Sequence, residues 1–488
     1  MRTAPLGTLL VTEVKHHRRY GVLAGLAATA TLWALVLLGL PADWRGPTLP
    51  WLLFLEVTAV GFFVMPALAV IERGNGVTAA LRLTRLSPGL ALATRVGLLT
   101  ALTLPVALVA MLAAGVGWSA PVVVGVLLTT TLFSLLAVVV VGRSRTLTPY
   151  LSRTPAVAVP LLAPALADGI GLLESPLLHL SPATGGLQLL SGVASPGAVV
   201  WMTAWIGVLS AMAVRIGFDV TPADARRPRP SPARRSRIPI QGSGPAAAVA
   251  SLARVDRRTL LTDGMMLLLV VGIALIAVAL RWLGGPGLAW VDARHGVDLA
   301  PHLPAIWAFV LMIHLPVMLG TVTGLLFLED RDAGLFPTLA VTPAGLRTVL
   351  SYRLGATALA AAIAVAGGSA VAAIPHEAGA AGLVAIGIAG AAVAVVPAVL
   401  LVTLAEDRVQ GMALVKVLTV PLYLPVAWWF VDGPAGWVFA VTPTGLASQA
   451  LWANAAGPAV AAAIGCVLTS ASVTVLVARR LLRELAAS

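Results

Sequence analysis

Glu329–Arg353 reads EDRDAGLFPTLAVTPAGLRTVLSYR, a charged and amphipathic island set between two long apolar runs. A second stretch, Glu72–Arg95, reads ERGNGVTAALRLTRLSPGLALATR. Laid together without a gap, Arg73/Arg331, Gly76/Gly334, Leu81/Leu339, Thr84/Thr342 and Arg95/Arg353 coincide at a spacing of 258 residues. A matched pair of loops in two halves of one chain points to a duplicated membrane unit. It also makes each loop a docking element for something outside the bilayer.

Composition supports the membrane reading. The 488 residues are 59% hydrophobic and only 11% charged, with a mean hydropathy of +0.96. A soluble domain carries about 25% charged residues, so the chain has lost more than half of its usual solvating surface. Runs of about 20 apolar residues recur, each long enough to cross a bilayer core as helix. A β-barrel would instead show alternating segments of about ten residues. The fold class is therefore all-α, a polytopic membrane protein. The single Cys466 sits in an apolar run and offers neither a disulfide nor a metal cluster.

Twelve spans are predicted, near 21–40, 50–71, 96–117, 120–142, 155–173 and 197–217, then 264–282, 304–328, 354–374, 379–405, 415–431 and 457–478. With the N-terminus in the cytoplasm, 29 of the 32 Arg and Lys residues fall on the inner side, leaving only Arg45, Arg281 and Arg294 outside. The net charge of +12 is thus a consequence of topology rather than a nucleic-acid signal. Both termini are expected in the cytoplasm, with the chain in the plasma membrane. Residues 219–250, rich in Pro, Arg, Ser and Gly, cannot bury a core and read as a cytoplasmic linker between units 1–218 and 251–488.

The repeat extends beyond the two loops. Amphipathic basic stretches, Leu9–Tyr20 and Leu252–Leu261, precede the first span of each half and suit the inner interface. Pro160–Pro164 answers Pro421–Pro425, and Ser181-Pro182 answers Thr442-Pro443 at an offset of 261. An even number of spans per unit returns the chain to the same side, so the 6+6 arrangement is a parallel duplication.

A six-span unit with an amphipathic start, an E-R-x-x-G loop after span two and a Pro-containing segment before span six resembles the ABC-2 type transporter permease, twice over. Two such units in one chain further resemble actinobacterial drug-export permeases, including the fluoroquinolone type. The resemblance implies that Glu72, Arg73 and Gly76 in one loop, and Glu329, Asp330, Arg331 and Gly334 in the other, couple to a separate ATP-hydrolysing subunit, two copies serving two loops. It also implies export of a drug-like or lipophilic small molecule. The acidic residues are read as a helix start and the Gly as a tight turn. An ordinary solvated inner loop stays open as the other reading.

The chain itself carries no Walker A sequence: Lys15 and Lys416 each follow Val, not Gly. It is therefore read as a transport subunit, not an enzyme, with no cofactor of its own. Glu56 and His314, at the same offset of 258 within apolar spans, are the candidate substrate-path residues for a cationic or zwitterionic compound. Packing hydrogen bonds between helices remain their alternative role. The segments 174–190 and 437–451 are either short re-entrant helices or loops resting on the interface. A proton-coupled secondary transporter of the major facilitator kind is the rival class, weakened because Asp330-Arg331 lacks that family's following basic pair. A membrane scaffold, or a subunit of a lipid- or polysaccharide-modifying system, is the third.

Overall fold

A computed structural model describes residues 6–74, 86–142, 148–217, 264–296, 298–340, 345–374, 379–431 and 433–487. The chain divides into two compact units, Met1–Ser236 and Arg237–Ser488, a boundary inside the expected linker. The linker itself and the amphipathic stretch Leu252–Leu261 lie outside the described residues. Among those residues every regular element is helical, with no strand.

Unit 1 comprises α1 (Leu6–Arg19), α2 (Val22–Gly39), α3 (Ala42–Gly74), α4 (Pro88–Ala114), α5 (Ala120–Val141), α6 (Thr148–Gly169), α7 (Pro182–Leu190) and α8 (Pro196–Gly217). Unit 2 comprises α9 (Gly264–His295), α10 (Ala300–Asp332), α11 (Leu335–Ala340), α12 (Gly345–Val371), α13 (Gly379–Leu404), α14 (Arg408–Tyr423), α15 (Pro443–Trp452) and α16 (Ala456–Ala487). The α10 rod is not uniform: it opens with a 3-10 turn and passes through a π-helical stretch, Ala308–His314, before continuing as α-helix.

Both units use one packing plan. The fourth span of each, α5 or α13, is apolar on all sides and therefore occupies the middle. In unit 1, α5 packs on α3, α4, α7 and α8; in unit 2, α13 packs on α10, α12, α15 and α16. Between helices in a bilayer there is little hydrophobic drive, so small residues that let backbones approach carry the association. On α10, a methyl group added to Gly320 would fall on the Ala394 carbonyl of α13. On α3, one added to Gly61 would lie 2.7 Å from the Phe133 Cβ of α5.

In the two outer segments α7 and α15 are short helices buried in their units, each preceded by a largely exposed 3-10 stretch, Pro176–Leu180 and Pro434–Val441. Ser181 caps α7 by accepting from the Ala183 amide at 3.3 Å, and Thr442 caps α15 by accepting from the Gly445 amide at 3.1 Å. The matched Ser-Pro and Thr-Pro pairs thus do the same local job: the hydroxyl satisfies an orphan amide and Pro takes the first helical position.

Among the described residues eleven helices are long and apolar enough to span, against the twelve predicted. The shortfall is the predicted span 155–173, where α6 forms but carries Arg153, Pro155, Pro160, Pro164 and Asp168. The matched Pro pairs also diverge. Pro160 and Pro164 lie within continuous α6, whereas Pro421 precedes a change from α14 to the 3-10 stretch Leu424–Phe430. Finally, Glu329 and Asp330 do not start a helix; α10 runs on through Asp332, so they fall in its last turn.

The Gly320 contact is directly testable. Gly320→Ala is expected to destabilise the purified protein by about 1–3 kcal/mol through overpacking. Gly355→Ala, with open space around it, should leave the melting temperature unchanged or slightly raised.

Candidate functional site

Acidic side chains in a helix's last turn face the negative end of its dipole and need compensation. Two arginines from two neighbouring helices provide it around α10. Asp330 is ion-paired with Arg353 of α12. Glu329 Oε2 lies 2.8 Å from Arg408 Nη1 at the start of α14. The Arg408 amide also donates to Asp332 Oδ2 at 3.2 Å. Arg408 is only 9% exposed; burial pulls its pKa below the usual value, and Glu329 beside it pulls the other way.

Arg331 points elsewhere. Its guanidinium donates to the Ala405 carbonyl at 2.7 Å and to the Val402 carbonyl, both at the C-terminal end of α13. These belong to the carbonyls that a helix end leaves without intrahelical partners, and a cation there also suits the dipole. The same guanidinium sits 5.7 Å from the Phe336 ring centroid, and that of Arg353 sits 5.7 Å from the Phe327 ring centroid. Phe327, Phe336 and Val402 form a small apolar core against Leu346, Leu350 and Leu354.

Gly334 adopts φ +70° directly after α10, the left-handed turn that Gly makes without a Cβ penalty. It launches α11, whose Phe336 is buried while Leu335, Pro337 and Thr338 are exposed. The charged residues singled out from sequence therefore fasten the ends of α10, α12, α13 and α14 together. The outward face of the loop is the uncharged one of α11.

In unit 1, Gly76 lies outside the described residues, and Glu72 and Arg73 are placed only as the last turn of α3. Arg95, in register with Arg353, pairs with Glu13 of α1 at 3.1 Å and so holds the amphipathic helix against α4. Next to that pair, the His17 imidazole is fully buried. Its Nδ1–H donates to the Glu13 carbonyl at 2.8 Å, leaving Nε2 without a partner. Burial lowers the His17 pKa, outweighing the Glu13 carboxylate and carbonyl, while Arg95 and His16 lower it further.

The two span residues differ in setting. Glu56 is 3% exposed and accepts from Trp33 Nε1 of α2 at 3.4 Å, so it is tucked within unit 1. His314 of unit 2 is exposed at mid-α10, with Nδ1 2.9 Å from the Tyr423 hydroxyl of α14. Sequence reasoning missed Tyr423, which lies 109 residues away in the chain. Among the described residues no cluster of His, Cys, Asp and Glu could hold a metal.

Span-length apolar helices in both units are those of a multi-pass membrane protein. Residues 256–481 match the family "Fluoroquinolones export permease protein Rv2686c-like". The fluoroquinolones export permease protein Rv2686c of Mycobacterium tuberculosis (strain ATCC 25618 / H37Rv) is 28% identical over 211 residues, covering 43% of this chain and 83% of that protein. Rv2687c of the same strain, of the same description, is 34% identical over 167 residues, covering 33% of this chain and 68% of that protein. The chain belongs to this family of export permeases. Neither the family match nor the relatives support the secondary-transporter alternative. No solved structure matches.

Two measurements check this geometry. In a double-mutant cycle, Glu329→Gln and Arg408→Leu should show a coupling of about 1 kcal/mol, because Glu329→Gln leaves the buried Arg408 without its ion pair while Glu329 itself is partly exposed. For His17, the pKa is lower folded than unfolded, so the unfolded state binds more protons below about pH 6.5. Stability should therefore fall as pH drops through that value, and His17→Asn should flatten the dependence in a thermal melt.

Proposed function

We propose that the chain is the membrane-spanning part of an ATP-driven exporter of drug-like molecules, with fluoroquinolones the first substrates to test. Its two units act as tandem permease halves in the plasma membrane, with both termini cytoplasmic. The ATPase is a separate protein, since the sequence has no Walker A, and two copies would serve the two loops.

The observation that carries this reading is the build of the α11 loop. A short helix is held on a rigid base, and among the described residues of its unit none covers Leu335, Pro337 or Thr338. A groove in an ATPase would receive that face. Glu329, Asp330 and Arg331 would then transmit the partner's motion instead of touching it, because their side chains tie α11's base to three neighbouring helices. The family membership supports the export direction and the drug-like cargo.

The test is co-purification and transport. Leu335→Asp with Thr338→Arg should abolish recovery of the ATPase subunit and ATP-dependent fluoroquinolone export in membrane vesicles, while the melting temperature of the permease stays unchanged. Export that ignores ATP and collapses with a protonophore would refute the reading.

A further inference from the structure

Helix α1 meets three surroundings around its circumference. At 3.6 residues per turn Leu9, Glu13, His17 and Tyr20 share one sector, and all four are buried or half-buried. Glu13 fastens that sector to Arg95 of α4, and the fully buried His17 lies beside the pair. The next sector, turning about 100° onward from Leu10, carries Leu10, Val14 and Val11, all exposed. Arg18, Lys15 and Arg19 continue around the axis to about 180° from Leu10, and they too are exposed.

The exposed part of α1 has a fixed charge. Glu13 is the one acidic residue of the helix, and it accepts from Arg95 at both Nε, 3.3 Å, and Nη2, 3.1 Å. Lys15, Arg18 and Arg19 form no ion pair among the described residues. The chain also fixes the depth of this strip. Helix α1 ends at Arg19 and the span α2 begins at Val22, with Gly21 making the turn between them at φ +71°. The last turn of α1, which holds the basic residues, therefore lies where a span leaves the bilayer. A soluble acidic partner would answer the charges and leave Leu10, Val11 and Val14 in water. A zwitterionic bilayer would take the apolar strip and leave three cations without counter-charge. A leaflet with anionic headgroups satisfies both strips together.

We infer that α1 is a binding surface for anionic phospholipid. Headgroup phosphates of the adjoining leaflet lie against Lys15, Arg18 and Arg19, and acyl chains lie against Leu10, Val11 and Val14. The Glu13–Arg95 pair keeps both strips turned toward that leaflet, so the helix meets lipid in a set orientation. The inference is independent of the cargo, of the ATPase and of which side of the membrane α1 occupies.

Hydrogen exchange on the full chain in lipid nanodiscs tests it, because a peptide-level readout separates α1 from the arginines of residues 219–250. In discs of phosphatidylcholine mixed with phosphatidylglycerol, α1 amides should exchange at least about fivefold more slowly than in phosphatidylcholine alone, the worth of one basic contact with an anionic surface. High salt should erase the difference. So should the triple variant Lys15→Gln, Arg18→Gln, Arg19→Gln, while its exchange in phosphatidylcholine matches wild type. The charge-keeping triple Lys15→Arg, Arg18→Lys, Arg19→Lys should retain it. Equal wild-type exchange in the two discs overturns the proposal, as does a triple Gln variant that keeps the difference. Soluble glycerol phosphate that protects α1 equally well in phosphatidylcholine discs overturns the lipid assignment in favour of a free anion. If the triple Gln variant does not fold, the wild-type comparison between discs and its loss in salt decide.

Discussion

Arg331 carries a constraint on which the rest of unit 2 depends. The central helix α13 ends at Leu404, and the carbonyls of the buried Val402 and Ala405 need donors. Arg331 satisfies Val402 and Ala405 from the end of α10. That contact joins the central helix of unit 2 to the helix that carries the loop. A Lys could not replace it, because one planar guanidinium reaches two carbonyls while its face lies over Phe336.

The same clamp has a second arm of mechanical interest. Arg408 opens α14 and is held to Glu329 and Asp332 of α10. Tyr423 closes α14 and is held to His314 of the same α10. One 16-residue helix is thus tied at both ends to one partner, by ion pairing near the loop and by a neutral hydrogen bond at mid-span.

Much of this architecture was readable from periodicity. Span-length apolar runs and the arginine bias follow from bilayer thickness and charge cost, which act on composition alone. The matched Ser181-Pro182 and Thr442-Pro443 pairs were visible too, and their shared capping role follows because capping chemistry is local. What was hidden depended on where helices end and what lies across from them. Glu329 and Asp330 look like a helix start because they follow an apolar run. Only the continuation of α10 through Asp332 puts them opposite Arg353 and Arg408, 23 and 79 residues further along the chain. The π turn was equally hidden, because the stacking of the Phe309 and His314 rings has the wrong spacing for any α-helical template.

The sequence repeat is therefore a guide to architecture more than to chemistry. Arg95 and Arg353 occupy the same register, yet one draws an amphipathic helix onto its unit and the other neutralises a helix end. Glu56 and His314 are likewise matched, yet one is a buried acid against an indole and the other an exposed imidazole in an aromatic group. A single polypeptide holding both units escapes the symmetry of a homodimer, in which each side must present the same surface to the same ligand. Divergence at matched positions is what that freedom permits.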